Sequence, residues 1–188
     1  MRLSTNLYFV RHAHSVYTPD ELQRPLSERG FADAQKVTEV LKKENIDLVI
    51  SSPYKRAIET VEGIANLIDQ EIQIVEGFKE RMLSEKPVED FQRAITKVWE
   101  DNSFSWQGGE SNLYSQERGV KAAFHVLEKY NEKNIVIGTH GNIMVLIMNY
   151  FDSRFNFKFW KELDMPDIYK LSFDRLVLKG VERIWKRE

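Results

Sequence analysis

Short apolar runs too brief for helices alternate along this chain with longer stretches whose apolar residues recur at helical spacing, and that alternation limits the fold more than any other feature. Leu7-Tyr8-Phe9-Val10, Leu48-Val49-Ile50, Ile72-Gln73-Ile74-Val75 and Ile135-Val136-Ile137 are rich in β-branched and aromatic residues and read as strands. Between them, Phe31, Ala34, Thr38 and Leu41 fall on one helical face, as do Ala57, Val61, Ile64, Ala65 and Ile68. The second of these helices has a legible start, with Ser52 placed to cap it and Pro53 in its first turn. Further helices are predicted over residues 88–99, 112–130 and 142–151, edge strands over 168–173 and 181–185, and a long active-site loop over 77–87. Strands alternating with helices predict an α/β three-layer sandwich with a mostly parallel central sheet flanked by helices. No repeat, low-complexity tract or Gly/Ser/Pro-rich linker interrupts the pattern, and 188 residues suit one domain over 1–188 better than two.

Charge and composition narrow the function classes. A net charge of -2, with four histidines counted neutral, supplies no global basic field for nucleic acid or an anionic membrane, so the expected partner is a small molecule. The run 143–148 falls far short of the roughly 20 apolar residues a membrane span needs. The opening residues lead straight into a strand-like run with no secretory pattern, which makes a soluble, cytoplasmic protein the expectation. With no cysteine, disulfides, thiolate metal sites and a cysteine nucleophile are excluded.

In open α/β sheets ligands bind beyond the carboxyl ends of the strands. Three such ends carry cations or imidazoles: Arg11-His12-Ala13-His14-Ser15 after the first run, Ser51-Ser52-Pro53 leading to Arg56 after the second, and Gly138-Thr139-His140-Gly141 after the last. Arginines and histidines gathered in one crevice of an otherwise acidic chain form an anion trap, and planar guanidinium forks suit phosphate. A neutral imidazole attacks phosphorus, and positioning with charge neutralisation is most of what phosphoryl transfer asks of a protein. His12 and His140 are therefore the central pair, with Arg11 and Arg56 around them. Glu80, in Gly77-Phe78-Lys79-Glu80-Arg81 past the third run, is the best-placed acid for a leaving oxygen, with Glu85 as its competitor.

Phe9-Val10-Arg11-His12-Ala13-His14-Ser15 resembles the R-H-G-x-[ST] signature of the histidine phosphatase superfamily, which includes the cofactor-dependent phosphoglycerate mutases. The resemblance runs nearly end to end. Arg24-Pro25-Leu26-Ser27-Glu28-Arg29-Gly30 is similar to the P-L-[ST]-x-x-G entry to the first helix, and Ser51 through Thr60 to the S-S-x-x-x-R-A-x-x-T block. Glu80-Arg81 resembles the acid/base segment, Gly108-Gly109-Glu110-Ser111 the G-G-E-S loop and Thr139-His140-Gly141 the second histidine motif. The resemblance implies a two-step reaction: His12 attacks phosphorus in line while Arg11, Arg56 and His140 hold the phosphoryl oxygens, Glu80 protonates the leaving oxygen, and water then releases phosphate. It implies no metal and no cofactor. The chain departs from the pattern at Ala13, where glycine is usual, at His14, where most members carry an acidic or amide side chain, and at Thr18, where many place a phosphate-binding asparagine. Nothing between Glu80 and Gly108 supplies the adjacent arginine pair of the mutases, which favours a phosphatase.

Plainer readings compete residue by residue. Arg56 can pair with Glu59 or Glu62 on its own helix, His14 can be structural, His125 lies in a helical run, and Ser111 can serve as a helix cap with or without facing a ligand. Trp106, Phe157, Phe159 and Trp160 read as core or lid packing more readily than as a pocket lining. Rival functions are a phosphoglycerate mutase, a metallohydrolase using His12, His14 and His140, and a non-catalytic module that binds a phosphorylated metabolite.

Overall fold

The computed structural model describes residues 4–186. The apolar runs assemble into one six-stranded sheet of β1 (Thr5–Arg11), β2 (Leu48–Ser51), β3 (Gln73–Ile74), β4 (Asn134–Thr139), β5 (Asp167–Asp174) and β6 (Val177–Arg183), in the order β3-β2-β4-β1-β5-β6. The first four strands run parallel, and β5 and β6 are antiparallel additions beside β1. The helices among the described residues are α1 (Glu28–Leu41), α2 (Lys55–Leu67), α3 (Phe91–Glu100), α4 (Asn112–Lys129), α5 (Gly141–Phe151) and α6 (Phe157–Glu162).

Side chains alternate across a strand, and β1 shows what that does when both faces are covered. Leu7 and Phe9 enter a core with Val120, Val126, Ile143 and Ile147 from α4 and α5. Tyr8 and Val10 enter a second core with Val37, Leu41, Val61 and Ile64 from α1 and α2. The continuous apolar run in the sequence is thus two cores read through one strand, and the three-layer sandwich is as the strand–helix alternation predicts.

Several local expectations are corrected. The buried face of α1 is Gly30, Ala34, Val37 and Leu41, while Phe31 stays exposed. Ser52 does not cap α2: the capping position falls to Tyr54, which makes no side-chain bond, while the Ser52 hydroxyl accepts from Tyr54 N at 3.3 Å and lies 2.7 Å from His140 Nε2. The third run pairs with β2 over only two exposed residues, with Ile72 packed against one core and Val75 against the other. The run at 168–173 is an inner strand, not an edge, sending Ile168 to one core and Leu171 and Phe173 to the other; only β6 is at that edge. Six-residue α6 was not anticipated because it is too short to show a period.

Candidate active site

Parallel pairing of β1, β4 and β2 brings three carboxyl ends together, with Arg11 in register with Thr139 and Ser51 with Gly138. The ladder continues one residue further, as His12 N donates to Thr139 O at 3.0 Å and Ser52 N to Gly138 O at 2.9 Å. His12, Ser52 and His140 therefore emerge side by side. The first turn of α2 adds Arg56, and α5 starts immediately after His140.

His12 is buried, and its Nδ1 lies 2.7 Å from the Ala13 carbonyl. A carbonyl only accepts, so Nδ1 carries the proton and Nε2 keeps its lone pair. Arg56 Nε donates to that Nε2 at 3.3 Å. Burial first, and then Arg56, push the His12 pKa down to about 3, with Arg11 and Arg24 adding to the effect and the Ala13 carbonyl opposing it. His140 is fully buried, 5.2 Å from His12 between ring centroids, and burial followed by its neighbour His12 and the arginines holds its pKa well below the ordinary histidine value. Its Nε2 is 2.7 Å from Ser52 Oγ, whereas Nδ1 is buried with no partner among the described residues.

Arg11 lies along the start of α5, where Gly141 makes room: a Cβ there would stand 3.0 Å from Arg11 Nε and 3.1 Å from Cζ. Its Nη1 donates to Asp164 O at 3.2 Å and its Nε is buried and unpartnered. Arg56 does not take the helix-surface pairs open to it. Its Nη1 donates to Glu21 O at 2.9 Å and its Nη2 meets the Glu21 carboxylate at 3.1 Å, while Glu59 accepts from Leu26 N.

Glu80 follows a single 3₁₀ turn and reaches across to α5, where Oε2 accepts from Asn142 N at 3.1 Å and Oε1 from Ile143 N at 2.9 Å. Its carboxylate thus satisfies orphan amides at the positive end of the helix that His140 precedes. The G-G-E-S segment holds the loop that carries it. Glu110 and Met82 exchange backbone and side-chain bonds at 2.7 and 3.0 Å, Arg118 forks onto Glu110, and Arg118 Nη1 donates to Gly77 O and Lys79 O. Gly109 lies so close under Leu83 that a Cβ would come within 2.2 Å of its carbonyl oxygen. Ser111 caps α4 by accepting from Tyr114 N at 3.1 Å.

The remaining expected residues lie apart from this cluster. His14 is exposed, with Nδ1 2.8 Å from the Ser27 hydroxyl that caps α1. Thr18 turns its hydroxyl onto Asp20 O at 2.8 Å. Among the described residues no group of three His, Asp or Glu is arranged to hold a metal ion, and the ring of His14 is engaged at α1 rather than beside His12 and His140. Three residues escaped the sequence reading. Ser52 was read as a cap although it orients His140. Arg24 adds positive charge near His12 and Arg56. Arg81 is buried beside Glu80 and Glu110 with Nε and Nη1 unpartnered. Of these, only Ser52 had a signal, its place at a strand end.

Two buried neutral histidines make stability depend on pH. The folded pKa of each lies below the unfolded value of 6.5, so the unfolded chain takes up protons first as pH falls. Their stabilising effect is full above that value and is lost on the way down toward about 3 for His12. The thermal midpoint of the free protein is expected to drop between about pH 7 and about pH 5, and a midpoint flat over that interval contradicts burial of neutral imidazoles.

The family model of the histidine phosphatase superfamily (branch 1) matches residues 7–179. Phosphoserine phosphatase 1 of Hydrogenobacter thermophilus is 32% identical over 149 residues, covering 71% of this chain and 70% of that protein. Among solved structures, a mycobacterial glucosyl-3-phosphoglycerate phosphatase in complex with VO3 superposes with a TM-score of 0.79 at 19% identity, covering 97% of this chain and 98% of the other. A phosphoserine phosphatase variant from Entamoeba histolytica in complex with phosphoserine superposes with a TM-score of 0.76 at 20% identity, covering 94% and 96%. With the family model spanning almost the whole chain and the fold shared end to end, this protein belongs to the histidine phosphatase superfamily, branch 1.

Proposed function

We propose that this chain, acting as one domain, hydrolyses a small phosphomonoester through a phosphohistidine on His12, with Glu80 as acid and base. The observation that carries the reading is the tautomer of His12: the Ala13 carbonyl takes the Nδ1 proton, and a bare Nε2 faces a buried, arginine-rich crevice. Nε2 attacks phosphorus as the bond to the leaving oxygen breaks, and Glu80 gives that oxygen a proton. Arg56 Nε, which donates to Nε2 in the free protein, passes to a phosphoryl oxygen as the lone pair is used in the P–N bond. With the Ser52 hydroxyl, which accepts from Tyr54 N, donating its proton to His140 Nε2, the Nδ1–H of His140 is left to bind a second phosphoryl oxygen. Arg11 supplies further positive charge. In the second step water attacks the phosphohistidine, Glu80 takes its proton, the P–N bond breaks, and inorganic phosphate leaves.

Neither a metal nor a cofactor has a part in these steps, so phosphate release is expected to persist in a chelator. The test measures release from a panel that includes phosphoserine, glucosyl-3-phosphoglycerate and the phosphoglycerates, the first two chosen because relatives carry those names. Loss of activity on chelation would overturn the metal-free reading. Isomerisation of phosphoglycerate without release would identify a mutase, and binding without turnover a sensing module.

A further inference from the structure

Trp99, Phe157 and Trp160 form a continuous stack outside both hydrophobic cores. Trp99 lies on Phe157 and Phe157 on Trp160, each pair with ring centroids 5.6 Å apart and planes 17° from parallel, and Lys161 Nζ sits 4.2 Å from the Phe157 ring. The aromatics near them have ordinary packing roles: Phe159 packs against the core through Tyr169, and Trp106 donates to Ala94 O within its own helix–loop unit. The stack is absent from both buried clusters, and all three of its residues are only partly buried. Ordered aromatic surface left outside a core is the kind of surface that recognises ligands.

Its location supports such a role. Trp99 Nε1 donates to Asn142 Oδ1 at 3.3 Å, and Asn142 N donates to Glu80 Oε2 at 3.1 Å. One residue therefore separates the indole edge from the carboxylate. At its other end the stack belongs to α6, which runs directly into Leu163 and Asp164, whose carbonyls receive Arg11. The stack therefore connects to Glu80 through Asn142 at one end and to the carbonyls that receive Arg11 through α6 at the other.

We propose, resting on the reading of Glu80 as the acid, that Trp99 backed by Phe157 and Trp160 forms the wall of the leaving-group subsite and favours esters with a flat, apolar leaving group. The test compares benzyl phosphate with ethyl phosphate, two esters that make a similar demand on the acid and differ in the surface offered to the wall. Trp99→Leu is expected to lower kcat/KM for benzyl phosphate about tenfold, the scale of a lost aromatic contact, and for ethyl phosphate by less than about threefold. Trp99→Phe, which keeps a ring but not the N–H, should retain most of the benzyl activity. Phe157→Ala, on the other helix, should reproduce the benzyl-selective loss, and inhibition by orthovanadate should be unchanged in all three variants. Equal losses on both esters would show that Trp99 acts only through Asn142 and Glu80, and would overturn the subsite, as would no loss on either. Release from phosphoserine or another ester of the panel but from neither of these two overturns the subsite alone, whereas release from no ester at all overturns the phosphatase reading, and the subsite falls with it.

Discussion

His12→Ala is expected to lower turnover by about a thousandfold or more, because it removes the covalent route and not merely one contact. The substitution should do little to the fold. The ring makes one bond to a neighbouring carbonyl and receives one from Arg56, and the strand bond from His12 N to Thr139 O is retained. Steady-state phosphate release gives the magnitude. Quenching the wild type with radiolabelled ester should trap an acid-labile, base-stable adduct that the variant lacks. Near-normal release by the variant, or an adduct that survives the substitution, would reject His12 as the nucleophile.

Glu80→Gln should cost about 10²–10⁴-fold in turnover, the range general acid–base catalysis supplies. The amide still offers an oxygen to the amides at the start of α5, so the loop and the helix end keep one of their bonds and the change falls on proton transfer. The loss should depend on the ester: large for an alkyl phosphate, whose alkoxide needs a proton to depart, and much smaller in the first step for p-nitrophenyl phosphate, whose leaving group does not. A loss uniform across leaving groups would assign Glu80 to support of α5 and the loop. Glu85, the competing acid in sequence, is exposed and reaches toward Gly108 instead, whose absent Cβ would stand 2.4 Å from Glu85 Cβ.

The parts of the site legible in the sequence share a physical property: they follow strands. A parallel sheet aligns carboxyl ends, so a residue just after an apolar run is assigned to the crevice once the strands are recognised. This made Arg11, His12, Arg56 and His140 findable without coordinates. Glu80 follows a strand of only two residues, and its place owes more to the brace of Glu110 and Arg118 than to β3. The G-G-E-S motif was visible as a motif, yet its work of gripping the backbone on either side of Glu80 was not, because the partners lie 28 and 41 positions apart along the chain.

Other residues changed meaning with the third dimension. Ser52 has the chemistry of a helix cap, but it stands two residues before the capping position, and its hydroxyl meets a buried imidazole across the sheet. His14 stands two residues from His12 in the sequence, yet it lies past the end of β1, where its ring bonds the Ser27 hydroxyl at the start of α1. Trp99 and Asn142 carry no local signal at all; their relation to Glu80 exists only because α3 and α5 meet there.

The sequence by itself determined the class of fold, the two-core sheet and the strand ends that hold histidine and arginine, because hydrophobic period and strand polarity are local properties of the chain. Only the tertiary structure decided which nitrogen of His12 is bare, what orients His140, how Glu80 is held, and which aromatic rings border it. Those depend on hydrogen bonds and packing between residues distant in the chain, where local pattern carries no information about which of several competent partners is within reach.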